Sequence, residues 1–227
     1  MNKHIIIAID GVVGVGKGTL ARLLAEKLRY VHIDSGAMYR AVTLHFLENS
    51  IDVNDTDAMV GELPNIDISF QVDPVTGANE TWLNGENVEQ KIRTQIISSR
   101  VPLVAQVPEI RKFLYTKQIE FGKDKGMVME GRDIGTHIFP DAELKIFLTA
   151  DADVRAQRRH QELLERGDDI SLGQVLDSIK QRDKADMERA MSPLVKAEDA
   201  IEIDSTNMTI PQVVDRAYEL AMGIINK

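Results

Sequence analysis

Gly11 to Thr19 reads GVVGVGKGT, and no other stretch concentrates so much chemistry. Glycines at 11, 14, 16 and 18 let backbone N–H groups turn inward around an anion without a Cβ in the way. Lys17 adds a cation that reaches the outer phosphates of a nucleoside triphosphate, and a helix opening here adds its positive N-terminal potential. The pattern assigns Gly11, Val12, Val13, Gly14, Val15, Gly16, Lys17, Gly18 and Thr19 to a triphosphate. Such loops usually place Ser or Thr directly after the lysine. Here Gly18 intervenes before Thr19, so the hydroxyl that meets Mg²⁺ is left open and no protein ligand of the metal is assigned. The chain has no Asn-Lys-x-Asp base-reading motif of the GTPase switches, which favours ATP.

Three more charged groups stand out. Asp34 to Arg40 reads DSGAMYR, with Ser35 placed to cap a following helix. Glu130 to Gly135 reads EGRDIG directly after an apolar run, where α/β sheets hold their ligand residues. In RDKADMER, Arg182 to Arg189, the residues Val175, Ile179, Arg182, Asp186 and Arg189 fall on one helical face that starts apolar and ends charged. An intrahelical Arg182–Asp186 pair on a solvated helix end would explain this group without function. Arg155, Arg158 and Arg159 share a face by i, i+3, i+4 spacing.

The elements that must hold these residues follow from periodicity. Ile5 to Ile9 is a continuous β-branched run suited to a strand buried on both faces. Leu20, Leu23, Leu24 and Leu28 recur at helical spacing behind Lys17. Further strands are expected at Met127–Met129, Lys145–Leu148 and Ala200–Ile203, and a helix carrying Ile110, Phe113 and Leu114 opens at Pro108. Ser171 caps one late helix, and Thr209 with Pro211 opens the last. Alternating strands and helices predict an α/β fold, a parallel-sheet core with the phosphate loop after its first strand. Ile66 to Val88 breaks the rhythm: Ile66, Ile68 and Phe70 alternate with polar residues, Asp73 to Glu80 is rich in turn formers, and Asn84-Gly85 signals a two-residue hairpin. A small antiparallel sheet is therefore expected as an insert.

The totals fit a soluble, single-domain protein of residues 1–227. The composition is 43% hydrophobic and 28% charged, and no apolar run approaches the ~20 residues that span a bilayer. The start, Met1 to Ile7, reads as a first strand and not as a signal peptide. There is no cysteine, which excludes disulfides and thiolate chemistry and is compatible with the cytoplasm, the expected location. A net charge of −9 disfavours nucleic-acid polymers and acidic membranes as partners, so an anionic ligand needs a local cluster of cations. The histidines at 4, 32, 45, 137 and 160 show no metal-ligand spacing, and Trp82 packs in the insert. Without a coiled-coil pattern, a monomer is expected.

GVVGVGKGT, DSGAMYR, EGRDIGTHIFPDA and RDKADMERAMSPLVKAEDA, in this order and collinear from Ile5 to about Asp204, resemble the bacterial cytidylate kinase family. Its lysine-glycine-threonine loop and its large nucleotide-binding insert both have counterparts here. The resemblance implies a nucleoside monophosphate kinase that passes the γ-phosphoryl group of ATP, bound with Mg²⁺, to CMP or dCMP. It implies an insert over about 36–108 and a short helical lid over about 153–170. Carried over residue by residue, it places Ser35, Arg111 and Asp133 at the acceptor nucleoside, with Arg111 and Asp133 reading cytosine. It gives Arg182 and Asp186 the sugar, and Arg40, Arg132 and Arg189 the acceptor phosphate. Lys17, Arg132, Arg155, Arg158 and Arg159 would act on the transferring group, the last three from the lid. Val12 and Val13 depart from the family's loop, Glu130 replaces an Asp, and Pro102 stands where a base-contacting Ser is usual. The last departure leaves UMP open as an acceptor. A non-nucleotide acceptor and a nucleotide-binding switch without turnover are the remaining alternatives, and the arginine-rich acceptor residues and the insert speak against the former.

Overall fold

A computed structural model describes residues 4–73, 79–165 and 167–227. Residues 74–78, in the expected turn-rich loop, Arg166, in the expected lid, and residues 1–3 lie outside the described residues. In chain order the elements are β1 (Ile6–Gly11), α1 (Lys17–Leu28), β2 (Val31–Asp34), α2 (Ser35–Glu48), α3 (Thr56–Glu62), β3 (Ile68–Val72), β4 (Asn79–Leu83) and β5 (Glu86–Asn87). There follow α4 (Gln95–Val104), α5 (Pro108–Phe121), β6 (Met127–Gly131), β7 (Leu144–Thr149), α6 (Ala152–Glu165), α7 (Leu172–Glu188), β8 (Ile201–Asp204) and α8 (Ile210–Ile225). The chain divides into two compact units, one of residues 1–30 and 125–227, the other Val31–Asp124.

In the first unit β6, β1, β7 and β8 lie side by side in that order, all parallel. Every residue of β1 is buried, as its β-branched run requires of a strand covered on both faces. Ile5, Ile7 and Ile9 share one core with Leu20 and Leu24 of α1 and with Val213, Val214, Ala217 and Ala221 of α8. The register pairs Ile9 with Glu130, Asp10 with Gly131 and Gly11 with Leu148, so the polar ends of three strands meet where the phosphate loop begins. Gly11 is glycine for a steric reason: a Cβ there would run into the carbonyl oxygen of Leu148. Gly16, the residue before α1, has φ 91°, a left-handed conformation that glycine adopts without cost. The late helices start as their sequences direct. Ser171 with Gln174 and Thr209 with Gln212 each form a reciprocal capping box at the heads of α7 and α8.

The second unit holds the antiparallel sheet β3-β4-β5. Leu83 pairs with Glu86 across Asn84-Gly85, whose φ values of 49° and 83° are both positive, as a two-residue hairpin turn of this kind demands. Its core is built from α2, α4, α5 and the sheet, with Met38, Phe46, Met59, Ile92, Ile110 and Leu114 fully buried. Three local expectations change. β4 begins at Asn79, inside the stretch expected as turn. Ile66 precedes β3 and follows a 3₁₀ turn at Leu63–Asn65. Ser35 does not cap α2 but is its first residue; Asp34 is the cap and accepts from the Ala37 N–H at 3.0 Å. Neither β2 nor α3 was expected.

Candidate active site

Lys17, the first residue of α1, is only 6% exposed, and its ammonium donates to the carbonyl oxygens of Gly11 at 2.9 Å and Val12 at 2.8 Å. Burial pushes its pKa down from 10.5 to about 7. The Arg132 guanidinium lowers it further, while Glu130, Asp10 and Asp186 pull the other way. Asp10, the residue before the loop, is buried too. Its carboxylate accepts the backbone N–H of Ile134 at 2.9 Å and of Gly135 at 2.7 Å. These two bonds favour the charged form, yet burial outweighs them and, with the nearby charge of Asp133, raises Asp10 to about 6. Asp10 thereby anchors one turn of π-helix, Ile134–Ile138, in which the N–H groups of Ile138 and Phe139 bond five residues back. Arg132 and Asp133 stand at the entry to that turn.

Arg132 donates from Nε to Asp186 at 2.7 Å and from Nη1 to the Gly131 carbonyl at 3.2 Å. Asp133 lies 3.4 Å from Nη2 of Arg189, whose Nε donates to the Ser192 carbonyl at 2.6 Å. Arg189 is the residue that ends α7, with extended backbone, rather than a member of its last turn. Packing around the Arg182 guanidinium, then the charges of Arg132 and Arg159, lowers its pKa from the ordinary arginine value, while Asp186 and Asp183 work the other way. Thus β1, β6, α1 and α7 bring Lys17, Arg132, Arg182, Asp133, Asp186 and Arg189 into one charged group. On the flank of the loop lies a cavity of about 350 Å³ lined by Gly14, Thr19, Arg158, Met208, Val213 and Val214, among others.

The second unit carries its own cations. Arg40 on α2 donates to the Ser98 hydroxyl at 2.6 Å and reaches the Ile92 carbonyl at 3.5 Å. Arg111 on α5 is buried, donates toward the Ala105 carbonyl at 3.5 Å and lies 5.8 Å over the Tyr39 ring. Ser35 is buried at the head of α2. Pro102 lies on an exposed side of α4.

Comparison with known proteins shows the family of the chain. The cytidylate kinase family matches residues 7–222. The chain belongs to the cytidylate kinase family. The cytidylate kinase of Bacteroides fragilis strain YCH46 is 50% identical over 213 residues, covering 92% of this chain and 93% of that one. That of Bacillus cereus strain B4264 is 44% identical over 227 residues, covering 100% of both. Among solved structures, a gluconokinase from Sinorhizobium meliloti 1021 is alike in fold alone. It has a TM-score of 0.50 and 13% identity, and covers 100% of this chain and 97% of that one. The activity is that of the family: ATP phosphorylates CMP or dCMP. No helix among the described residues is long and apolar enough to cross a membrane.

Several side chains have surroundings that differ from expectation. Arg155 does not face outward from a lid. It is 5% exposed and donates to the carbonyls of Ala150 and Val13, both at 2.8 Å, and to Asp183 at 2.7 Å. These contacts tie α6 to the end of β7, to the phosphate loop and to α7. Arg158 donates to the Ser205 carbonyl at 2.9 Å and edges the cavity, and Arg159 pairs with Glu162 at 2.8 Å. They do share a side of α6, but Arg155 is turned into the packing. Asp186 pairs with Arg132 across elements instead of serving only as a partner within its own helix.

Sequence reasoning missed Asp10 and Asp183. Asp183 continues the buried i, i+4 row Val175, Ile179, so the row itself was the available signal. Asp10 ends an apolar strand run, the position where a buried carboxylate needs a reason. The glycine after Lys17 also finds its cause: a Cβ at Gly18 would stand 2.9 Å from Oε1 of Glu130. A residue with a side chain there would have to displace that carboxylate.

Proposed function

We propose that the phosphate loop with Lys17 holds the ATP phosphates, and that the acceptor is held by Arg132, Asp133, Arg182, Asp186 and Arg189 together with Ser35, Arg40 and Arg111. The observation that carries this reading is the link from Lys17 through Arg132 to Asp186, which joins the donor loop to the acceptor residues of α7. Arg132, Arg189 and Arg40 bind the acceptor phosphate, since a guanidinium offers paired N–H groups to phosphate oxygens. Arg182 and Asp186 hold the sugar. A carboxylate accepts only, which suits the exocyclic amine of cytosine, and a guanidinium donates only, which suits its N3 and O2. Asp133 and Arg111 therefore read the base. The cavity beside Gly14 and Arg158 takes the donor base, with apolar walls from Met208, Val213 and Val214. Arg158 and Arg159 move with α6 to screen the transferring group, while Arg155 serves as a positioning residue.

No general base is required. The acceptor phosphate loses its second proton near pH 6, so its oxygens are already charged at neutral pH. The residues have to bring two polyanions together, neutralise charge and exclude water. Mg²⁺ bound with ATP supplies further neutralisation. Among the described residues no cluster of three His, Cys, Asp or Glu side chains forms a metal cage. A Mg²⁺ bound with ATP would keep several waters and take its remaining oxygens from phosphates and one or two protein groups. The Thr19 hydroxyl and the Glu130 carboxylate are the groups suited to it. We further propose a cytoplasmic monomer, to be checked by sedimentation. The deciding experiment is ADP release with CMP, dCMP and UMP offered singly. CMP and dCMP are expected to have the higher kcat/KM; UMP serving equally well would remove the base-reading roles of Asp133 and Arg111.

A further inference from the structure

Asp183 belongs to none of the roles above, yet it is among the most constrained side chains of the first unit. It sits on α7 one residue after Arg182 and three before Asp186, but on the buried row that continues Val175 and Ile179. Its residue exposure is 9%. Oδ1 accepts the Val13 N–H at 2.9 Å, and Oδ2 receives Nη1 of Arg155 at 2.7 Å. The same Nη1 donates to the Val13 carbonyl at 2.8 Å, and Nε of Arg155 donates to the Ala150 carbonyl at 2.8 Å. One buried ion pair thus captures both backbone polar groups of Val13, in the middle of the phosphate loop. The neighbouring loop carbonyl, Val12, is one of the two that hold Lys17. Apolar packing closes the joint: Val13, Ala156, Val175 and Ile179 form one buried cluster.

A carboxylate bonded to the backbone of an anion-binding loop works against the loop's own potential, so it needs a compensating reason. Burying the pair is itself costly, and simple stability does not require it, since apolar residues of similar volume commonly serve as well. What an ion pair with three directional backbone bonds supplies, and an apolar contact does not, is a fixed register between α6, α7 and the loop. We propose that Asp183, locked by Arg155, is a positioning residue that sets α7, and with it Arg182 and Asp186, in register with the loop that carries the donor phosphates. This rests on the reading that Arg182 and Asp186 hold the acceptor. It makes the pair a determinant of the rate of transfer more than of the binding of either nucleotide alone, because a small misplacement of two bound reactants costs rate first.

The test compares wild type with Asp183→Asn, which keeps an acceptor for the Val13 N–H but removes the charge facing Arg155, and with Arg155→Lys and the double variant. Kd for ATP is measured without acceptor, and kcat is referred to folded protein by thermal unfolding and near-UV circular dichroism. The expected result for Asp183→Asn is a 10- to 100-fold loss of kcat with Kd for ATP within threefold, and a double variant no slower than the slower single. A merely structural pair would lower the melting temperature and leave kcat per folded molecule within twofold, which overturns the proposal, as does a fall in ATP affinity that matches the fall in kcat. If Asp183→Asn does not fold, the same criteria apply to Arg155→Lys. Asp186→Ala is run in parallel: an unchanged KM for CMP there refutes the acceptor reading itself and not the Asp183–Arg155 lock.

Discussion

Lys17 makes proton uptake a measurable signature of ATP binding. Its ammonium is buried against the Gly11 and Val12 carbonyls, and desolvation, helped by Arg132, lowers its pKa to about 7. About half of these side chains are then neutral at pH 7 and roughly nine tenths at pH 8. The ATP phosphates bring negative charge to Nζ and restore the cation, so binding must draw in protons. The expected uptake per ATP is about 0.5 at pH 7 and about 0.9 at pH 8, and Kd weakens roughly tenfold per pH unit above 7 until the pKa of the complex is reached. The triphosphate's own last ionisation lies near pH 6, so at pH 8 it contributes almost nothing of opposite sign. Isothermal titration calorimetry at pH 8, in two buffers of different ionisation enthalpy, gives the number directly. Lys17→Arg is the control, because a guanidinium stays charged at any of these pH values. Absence of uptake in the wild type at pH 8 refutes the argument, and so does uptake that persists in Lys17→Arg.

Three further outcomes follow from the same geometry. Asp186→Ala leaves Arg132 without the carboxylate it holds at 2.7 Å and removes the proposed sugar contact; KM for CMP is expected to rise by an amount equivalent to about 1–3 kcal/mol, with KM for ATP nearly constant. Asp133→Ala is expected to narrow the ratio of kcat/KM for CMP over UMP more than it weakens ATP; an unchanged ratio assigns base choice elsewhere. Asp10, raised from 3.8 to about 6, binds more protons folded than unfolded, so its contribution is fully present below pH 3.8 and is lost as pH rises through 6. Relative to Asp10→Asn, wild-type stability is expected to fall by about 2 kcal/mol between pH 4 and pH 7 in urea titrations, and a parallel pH dependence of the two proteins contradicts this.

What the sequence disclosed and what it hid divide by the range of the interactions. The strand–loop–helix unit at Ile6–Leu28, the Asn84-Gly85 hairpin and the two capping boxes are encoded within a few residues, and each forms where its local chemistry puts it. β2 escaped because it gives no pattern: Val31 is 47% exposed, and polar His32 and Asp34 leave only Ile33 buried. The cap of α2 was misplaced by one residue because Asp34 and Ser35 are both good caps, and geometry alone chooses between them. In the site, the residue types were legible but their partners were not. The spacing of Arg155, Arg158 and Arg159 gives a common face of α6; it does not reveal that Arg155 meets Asp183, 28 positions away, and is buried by it. Asp10 finds its partners 124 and 125 positions on, a distance at which no periodicity speaks.

The acidity of the chain takes on a different meaning at the site. A net charge of −9 repels two polyanionic substrates, and the cations that must attract them would repel one another if gathered without support. Burial depresses the pKa of both Lys17 and Arg182, and like charge adds to it, from Arg132 on Lys17 and from Arg132 and Arg159 on Arg182. Carboxylates are interleaved to hold it: Glu130 and Asp10 beside Lys17, Asp186 on Arg132, Asp183 on Arg155, Asp133 on Arg189. Two kinds of acid follow from their positions. Asp10 and Asp183 are bonded to backbone N–H groups, so their bonds fix the shape of the loop and of the π turn and do not need to break. Asp186 and Asp133 face the guanidinium groups of Arg132 and Arg189, so phosphate and sugar oxygens can compete for those cations. Replacing Asp183 should therefore damage rate and stability together, whereas the cost of replacing Asp10 depends on pH. Replacing Asp186, which holds Arg132, should alter affinity for the acceptor more than it lowers the melting temperature.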